Sequence, residues 1–169
     1  MRLVLFNDFT PGILRGDNVV DVSQVISDIP HIDAQTWMRG LIDRFDDYRP
    51  SLEDAASNNE GVALSSVRLR SPLPEPTRIA CMAGNYLEGG TLKYPTDREA
   101  FLKSPSSVIG DGDTVTLPDA PVPHFHHEAE LGLVIGKTST DVPAEKGRDS
   151  IFGYPVSYTH LTLPTILLV

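Results

Sequence analysis

The spacing of apolar and polar positions changes several times along the chain. Residues 2–9, RLVLFNDF, alternate and stop at Thr10-Pro11-Gly12, and ILRGDNVVDVS sets two apolar stretches around Gly16-Asp17-Asn18. That is the pattern of a β-hairpin. From Asp33 the period lengthens: Trp37, Leu41, Ile42 and Phe45 fall at i, i+4, i+5 and i+8, with Asp33 placed to cap the first turn of a helix. Pro50 is expected to end that helix, because proline has no N–H to donate and its ring clashes with the preceding turn. SLEDAASN predicts a second short helix giving way at Asn58-Asn59, and VALSSVRLR a further strand. SPLPEPT, with three prolines in seven residues, predicts a domain boundary.

Beyond that boundary, RIACMA reads as a strand leading into the polar, glycine-rich loop GNYLEGG. FLKSPSSVIGDGDTVTLP follows, and its GDGD predicts a turn. A calcium loop is not supported there, since the remaining ligand positions are missing. HHEAELGLVIGK is the next strand, and VPAEKGRDSIFGY a short helix with Pro143 near its first turn. There is no internal repeat and no low-complexity tract. The closing residues VSYTHLTLPTILLV continue none of these patterns.

The chain has 169 residues, 40% of them hydrophobic and 22% charged, as expected of a globular protein. Its formal net charge of −9, with no Lys/Arg cluster, argues against a nucleic acid or an anionic membrane as partner. The single cysteine, Cys81, excludes an intrachain disulfide and reads as a core residue in a reducing compartment. MRLVLFNDF lacks the apolar stretch of a signal peptide, and no run is long enough to span a bilayer, so the protein reads as cytoplasmic.

Candidate chemistry concentrates in HHEAELGLVIG, residues 126–136. Side chains on a strand alternate faces, so Glu128 and Glu130 share one face while Ala129, Leu131, Leu133 and Ile135 share the other. The second face is assigned to the core. The two carboxylates then lie roughly 7 Å apart, two strand rises, and repel unless one is protonated or a cation lies between them. Oxygen ligands alone suit Mg²⁺, Mn²⁺ or Ca²⁺. On chemistry alone a solvated edge face is the more common setting for such a pair. A third reading takes His124, His126 and Glu130 as the H-x-H-x-x-x-E spacing of a cupin-like metal site, favouring Fe, Mn or Zn. The glycines that site expects do not fall in place. His124, His126 and His127 also fit as loop residues beside Pro121 and Pro123.

RIACMAGNYLEGG, FLKSPSSVIGDGDTVTLP, HHEAELGLVIGK and IFGY, in this order and spacing, resemble the fumarylacetoacetate hydrolase family over about residues 76–154. The first region resembles the variable N-terminal domain that many members carry. The resemblance implies an α+β protein: a small α+β N-terminal domain over residues 1–72, then an incomplete β-rich roll of the family type over 73–155. It also implies that Glu128 and Glu130 are two ligands of a divalent cation, Mg²⁺ or Mn²⁺. Lys103 matches a family lysine near the active site, and Asn85 and Tyr86 match a lid-loop motif that binds substrate. The implied activity is metal-dependent hydrolysis, lysis or isomerisation of 2-oxo acids or β-dicarbonyl compounds through a stabilised enolate. The implied partners are a small-molecule 2-oxo acid and, at full length, a second copy in a homodimer. Acylpyruvate-hydrolysing members place a His and a Glu shortly after the Asn-Tyr pair; Gly89 and Leu92 stand there in this sequence, so isomerase, decarboxylase or hydratase activity stays open. The non-enzymatic alternative is a binding protein or non-catalytic fragment with a solvated Glu-x-Glu face.

In the family a third acidic ligand follows the Gly-Tyr motif. Here no Asp or Glu follows Asp149, and VSYTHLTLPT resembles the translated read-through of a transposon-type sequencing adapter. Residues 156–169 are therefore expected to be a non-native tail, and the chain to be a truncated, inactive form.

Overall fold

The computed structural model describes residues 1–83, 99–116, 129–158 and 167–168, of which 156–158 and 167–168 are described by backbone alone. The chain divides into two compact units, Met1–Pro74 with Val108–Val169 and Glu75–Ser107.

The larger unit begins with an antiparallel meander: β1 (Arg2–Phe6), β2 (Thr10–Arg15) and β3 (Asn18–Asp21). The predicted hairpin is there, with Arg15 opposite Asn18 across Gly16-Asp17. β1 does not alternate apolar with polar, because both its faces are covered. Leu3 and Leu5 join a core with Ile13, Met38, Leu41 and Leu52, while Val4 and Phe6 face Leu14, Val19 and Leu69. A strand buried on both sides reads as a continuous apolar run.

Helices α1 (Ala34–Asp43) and α2 (Phe45–Asn58) cover the first of these faces. Asp33 caps α1 as expected: its carboxylate accepts from the Thr36 N–H at 2.7 Å, and the Thr36 hydroxyl accepts from the Asp33 N–H at 3.2 Å. The Thr36 contacts hold the Asp33 carboxyl below its ordinary pKa. The expected stop at Pro50 is not observed. The helix breaks at Arg44 instead, whose N–H turns back to Leu41 O at 3.3 Å, and Pro50 lies inside α2 on its exposed side. One missing donor to Asp46 is tolerated because Phe45, Tyr48 and Leu52 anchor the same helix in the core.

The expected strand VALSSVRLR is also broken. It yields β4 (Val62–Ala63), a 3₁₀ turn at Leu64–Ser66 and β5 (Leu69–Arg70), which pairs with β1. In the smaller unit β6 (Ile79–Ala83) pairs antiparallel with β7 (Glu99–Lys103). Returning to the larger unit, the remaining strands are β8 (Ala129–Leu131), β9 (Val134–Ile135), β10 (Ile151–Tyr158) and β11 (Leu167–Leu168). A 3₁₀ helix over Ala144–Ser150, with Pro143 at its N-cap, stands where the short helix was expected. The described strands of the larger unit form one sheet in the order β4-β3-β2-β1-β11-β10-β8, with β5 on β1 and β9 on β10. The result is the α+β architecture expected, few helices on a curled antiparallel sheet. No helix among the described residues is long and apolar enough to cross a membrane.

Candidate functional site

Glu130 sits in the middle of β8, at the end of the sheet, opposite Ser157 of β10. Burial along 129–136 alternates strictly, but in the sense opposite to that expected. The odd positions face out: Leu131 is 59% exposed, Leu133 53% and Ile135 58%. The even positions face in: Glu130 is half-buried and Val134, 8% exposed, joins the core of Leu3, Leu41 and Phe45. The reason lies in the two glycines of the even face. A Cβ on Gly132 would come within 2.8 Å of Pro155 Cγ, and one on Gly136 within 2.7 Å of Phe152 Cβ. Only glycine lets the strand lie this close to β10, and the Gly132 and Gly136 N–H groups donate to Pro155 O and Ser150 O at 2.8 and 2.9 Å. The carboxylate face is therefore the face turned toward the sheet, and the apolar ladder is turned away.

A half-buried carboxylate needs hydrogen-bond donors or a cation. Glu130 makes no hydrogen bond or ion pair among the described residues. Its hard anionic oxygens and inward setting fit a divalent cation of the Mg²⁺ or Mn²⁺ kind. Glu128, the other carboxylate expected there, lies outside the described residues, as do Asn85, Tyr86, His124, His126 and His127. Among the described residues no group of three His, Cys, Asp or Glu is placed to hold a metal.

Lys103 ends β7 in the smaller unit, half-buried, its Nζ 5.8 Å from the centre of the Phe101 ring. The cross-strand register puts Ile79, Cys81, Phe101 and Lys103 on one face of this hairpin. Cys81 is buried there, in keeping with a core thiol. Met82 and Leu102 occupy the opposite face and are exposed.

Two features had no sequence signal that periodicity could catch. The GDGD turn is clamped to β5: Asp113 accepts from the Gly110 N–H at 2.8 Å and pairs with Arg68. Those two partners hold the Asp113 carboxyl below its ordinary pKa. Both Asp113 oxygens are thus engaged within the protein, one by the Gly110 N–H and one by Arg68. Second, a cavity of about 410 Å³ opens beside the α1–α2 break, over Phe45, Phe152 and Lys137. Glu130 is not among its lining residues, and its walls mix Asp43, Asp46 and Asp149 with Arg44 and Arg49.

Residues 79–158 match the family described as fumarylacetoacetate (FAA) hydrolase C-terminal. The match overlaps the adapter-like run by three residues, Val156–Tyr158, which form the pairing partner of β8. Maleylpyruvate hydrolase from Aquipseudomonas alcaligenes is 29% identical over 170 residues, covering 91% of this chain and 59% of that protein. An oxaloacetate tautomerase of Bacillus subtilis is 35% identical over 100 residues, covering 56% of this chain and 33% of that protein. A mitochondrial oxaloacetate tautomerase of Arabidopsis thaliana is 40% identical over 85 residues, covering 48% and 37%. Among solved structures, maleylpyruvate hydrolase from Sphingobium sp. SYK-6, in complex with manganese(II) and pyruvate, superposes with a TM-score of 0.85 at 27% identity. It covers all of this chain and 67% of that one. The chain thus spans between a third and three fifths of the length of these curated relatives.

Proposed function

Because this chain belongs to the fumarylacetoacetate hydrolase family through residues 79–158, we propose that it carries the carboxylate strand of a divalent-metal-dependent enzyme acting on 2-oxo acids. Glu130, turned inward and without a partner among the described residues, is the observation that carries this reading. Glu128 and Glu130 would hold Mg²⁺ or Mn²⁺, as the manganese-bound relative supports. The cation's contribution would be Lewis-acid stabilisation of negative charge developing on a substrate oxygen. By the family resemblance, Lys103 would donate to the substrate carboxylate, and Asn85 and Tyr86, which follow β6 in the sequence, would orient the substrate.

Within that chemistry, proton transfer between keto and enol forms is favoured over hydrolysis. Gly89 and Leu92 stand where hydrolytic members carry His and Glu, and neither can accept a proton from water. The relatives of 35% and 40% identity are oxaloacetate tautomerases. Glu128 and Glu130 would supply two of the about six oxygens such a cation takes, and other groups would complete its shell.

Titration with Mn²⁺, followed by loss of the free ion's paramagnetic resonance signal, tests the assignment. Binding should strengthen when pyruvate is present and disappear in Glu130→Gln. Binding unchanged by that substitution would remove Glu130 from the site. No binding with or without pyruvate would favour a non-catalytic protein with a solvated Glu-x-Glu face. Binding lost equally in His124→Ala and His126→Ala would favour the cupin-like site.

A further inference from the structure

We propose that Asp111-Gly112 is a site of spontaneous covalent modification, at which Asp111 converts to isoaspartate and releases the clamp between Asp113 and Arg68. It is the one Asp-Gly step in the chain, which contains no Asn-Gly. Both residues are exposed, at the tip of a turn. Among the described residues, a Cβ built on Gly112 would meet nothing within 4 Å beyond its chain neighbours, so the Gly112 side of the turn stands in open space where an imide ring can form. That amide is also free to react. The turn's hydrogen bond runs from the Asp113 N–H to Gly110 O at 3.2 Å, and the Gly112 N–H has no acceptor among the described residues. Other aspartates lack this combination. Asp33 is held by Thr36, and Asp113 is held by Gly110 and Arg68 and followed by a branched Thr114.

The chemistry balances without a co-reactant. The Gly112 nitrogen gives up its proton and attacks Asp111 Cγ. A C–N bond forms, the protonated carboxyl loses its oxygen as water, and a five-membered imide closes. Water then opens the imide. When it adds at the former main-chain carbonyl, the chain runs on through Cγ and an α-carboxylate is left behind. One water leaves and one enters, so the mass does not change. The main chain gains one methylene inside the turn whose ends, Gly110 and Asp113, face each other at hydrogen-bond distance. Gly110 is itself seated against β5, where a Cβ would lie 3.2 Å from Leu69 O. A longer turn cannot keep that seat and the Asp113–Arg68 pair together.

The full chain, aged at neutral pH and physiological temperature, provides the test. Isoaspartate is read by labelled methyl transfer from protein L-isoaspartyl methyltransferase, and its position by peptide mapping. Label should accumulate several-fold more at residue 111 than at any other aspartate and be absent there in Asp111→Glu. The unfolding midpoint of the aged wild type should drop below that of fresh protein, while aged Asp111→Glu stays unchanged. Label spread evenly over the aspartates, or none at all, would overturn the site. Label at 111 with an unchanged midpoint would overturn its effect on the clamp.

Discussion

Arg68 and Asp113, 45 positions apart in the chain, form an ion pair that ties β5 to the turn over residues 110–113. The pair adds to the backbone bond that Gly110 gives Asp113. Since the Asp113 carboxyl is held below its ordinary value of 3.8, its contribution to stability is complete above that pH and is lost as pH falls through the lower folded-state value. Asp113→Asn should lower stability at neutral pH by about 1 kcal/mol, the scale of a charged hydrogen bond plus a partly exposed ion pair. The same substitution should flatten the acid limb of the profile. Urea unfolding of both proteins at neutral pH and below pH 4 checks this: an equal loss at both would mean that the charge plays no part.

Leu41 and Leu52 are fully buried between α1, α2 and the β1–β3 meander. Leu41→Ala should cost about 2–5 kcal/mol, the transfer term plus the cavity left behind. Against a net stability of about 5–15 kcal/mol for a small domain, that is enough to leave much of the population unfolded on warming. A loss under 1 kcal/mol in chemical denaturation would show that the helix pair is not packed on the meander as described.

The sequence disclosed what depends on neighbouring residues. The cap at Asp33 needs only Thr36 three positions on, and the hairpin at Gly16-Asp17 only its flanking apolar pairs. It disclosed less where distant packing decides. Pro50 breaks an isolated helix but not one fastened by Phe45, Tyr48 and Leu52. The period of two along 129–136 separated two faces correctly, and counting hydrophobic residues then chose the wrong one as buried. Leu131, Leu133 and Ile135 outvote a glutamate, a valine and two glycines in any such count. The glycines were the available signal, since they mark where β10 comes close. Of the candidate site, Glu130 is described in the expected strand and Lys103 at the end of β7.

The exposed ladder has a consequence for behaviour in solution. Leu131, Leu133 and Ile135 lie in line on one strand face, and β8 ends the described sheet. Exposed apolar side chains at the last strand of a sheet promote association. The triple substitution of these residues to Thr should reduce self-association, measured as the weight-average sedimentation coefficient over a concentration series. If wild type and variant sediment alike as monomers, the ladder is not adhesive.

Neighbouring residues of β9 give the sharpest check on which face is inward. Val134 is 8% exposed and packs with Leu41, Phe45 and Phe152, whereas Ile135 is 58% exposed. Removing two methyls from a buried valine forfeits their transfer free energy and leaves a small cavity, so Val134→Ala should cost about 1–3 kcal/mol. Ile135 already spends most of its side-chain surface in water, and Ile135→Ala should fall within about 0.5 kcal/mol of wild type. The assignment first drawn from the sequence, with Leu131, Leu133 and Ile135 in the core, demands the reverse order. Chemical denaturation of the two single variants, compared at constant m-value, separates the two. A larger loss for Ile135→Ala would turn the strand over and place Glu130 on the outside, and with it would go the reading of Glu130 as an inward metal ligand.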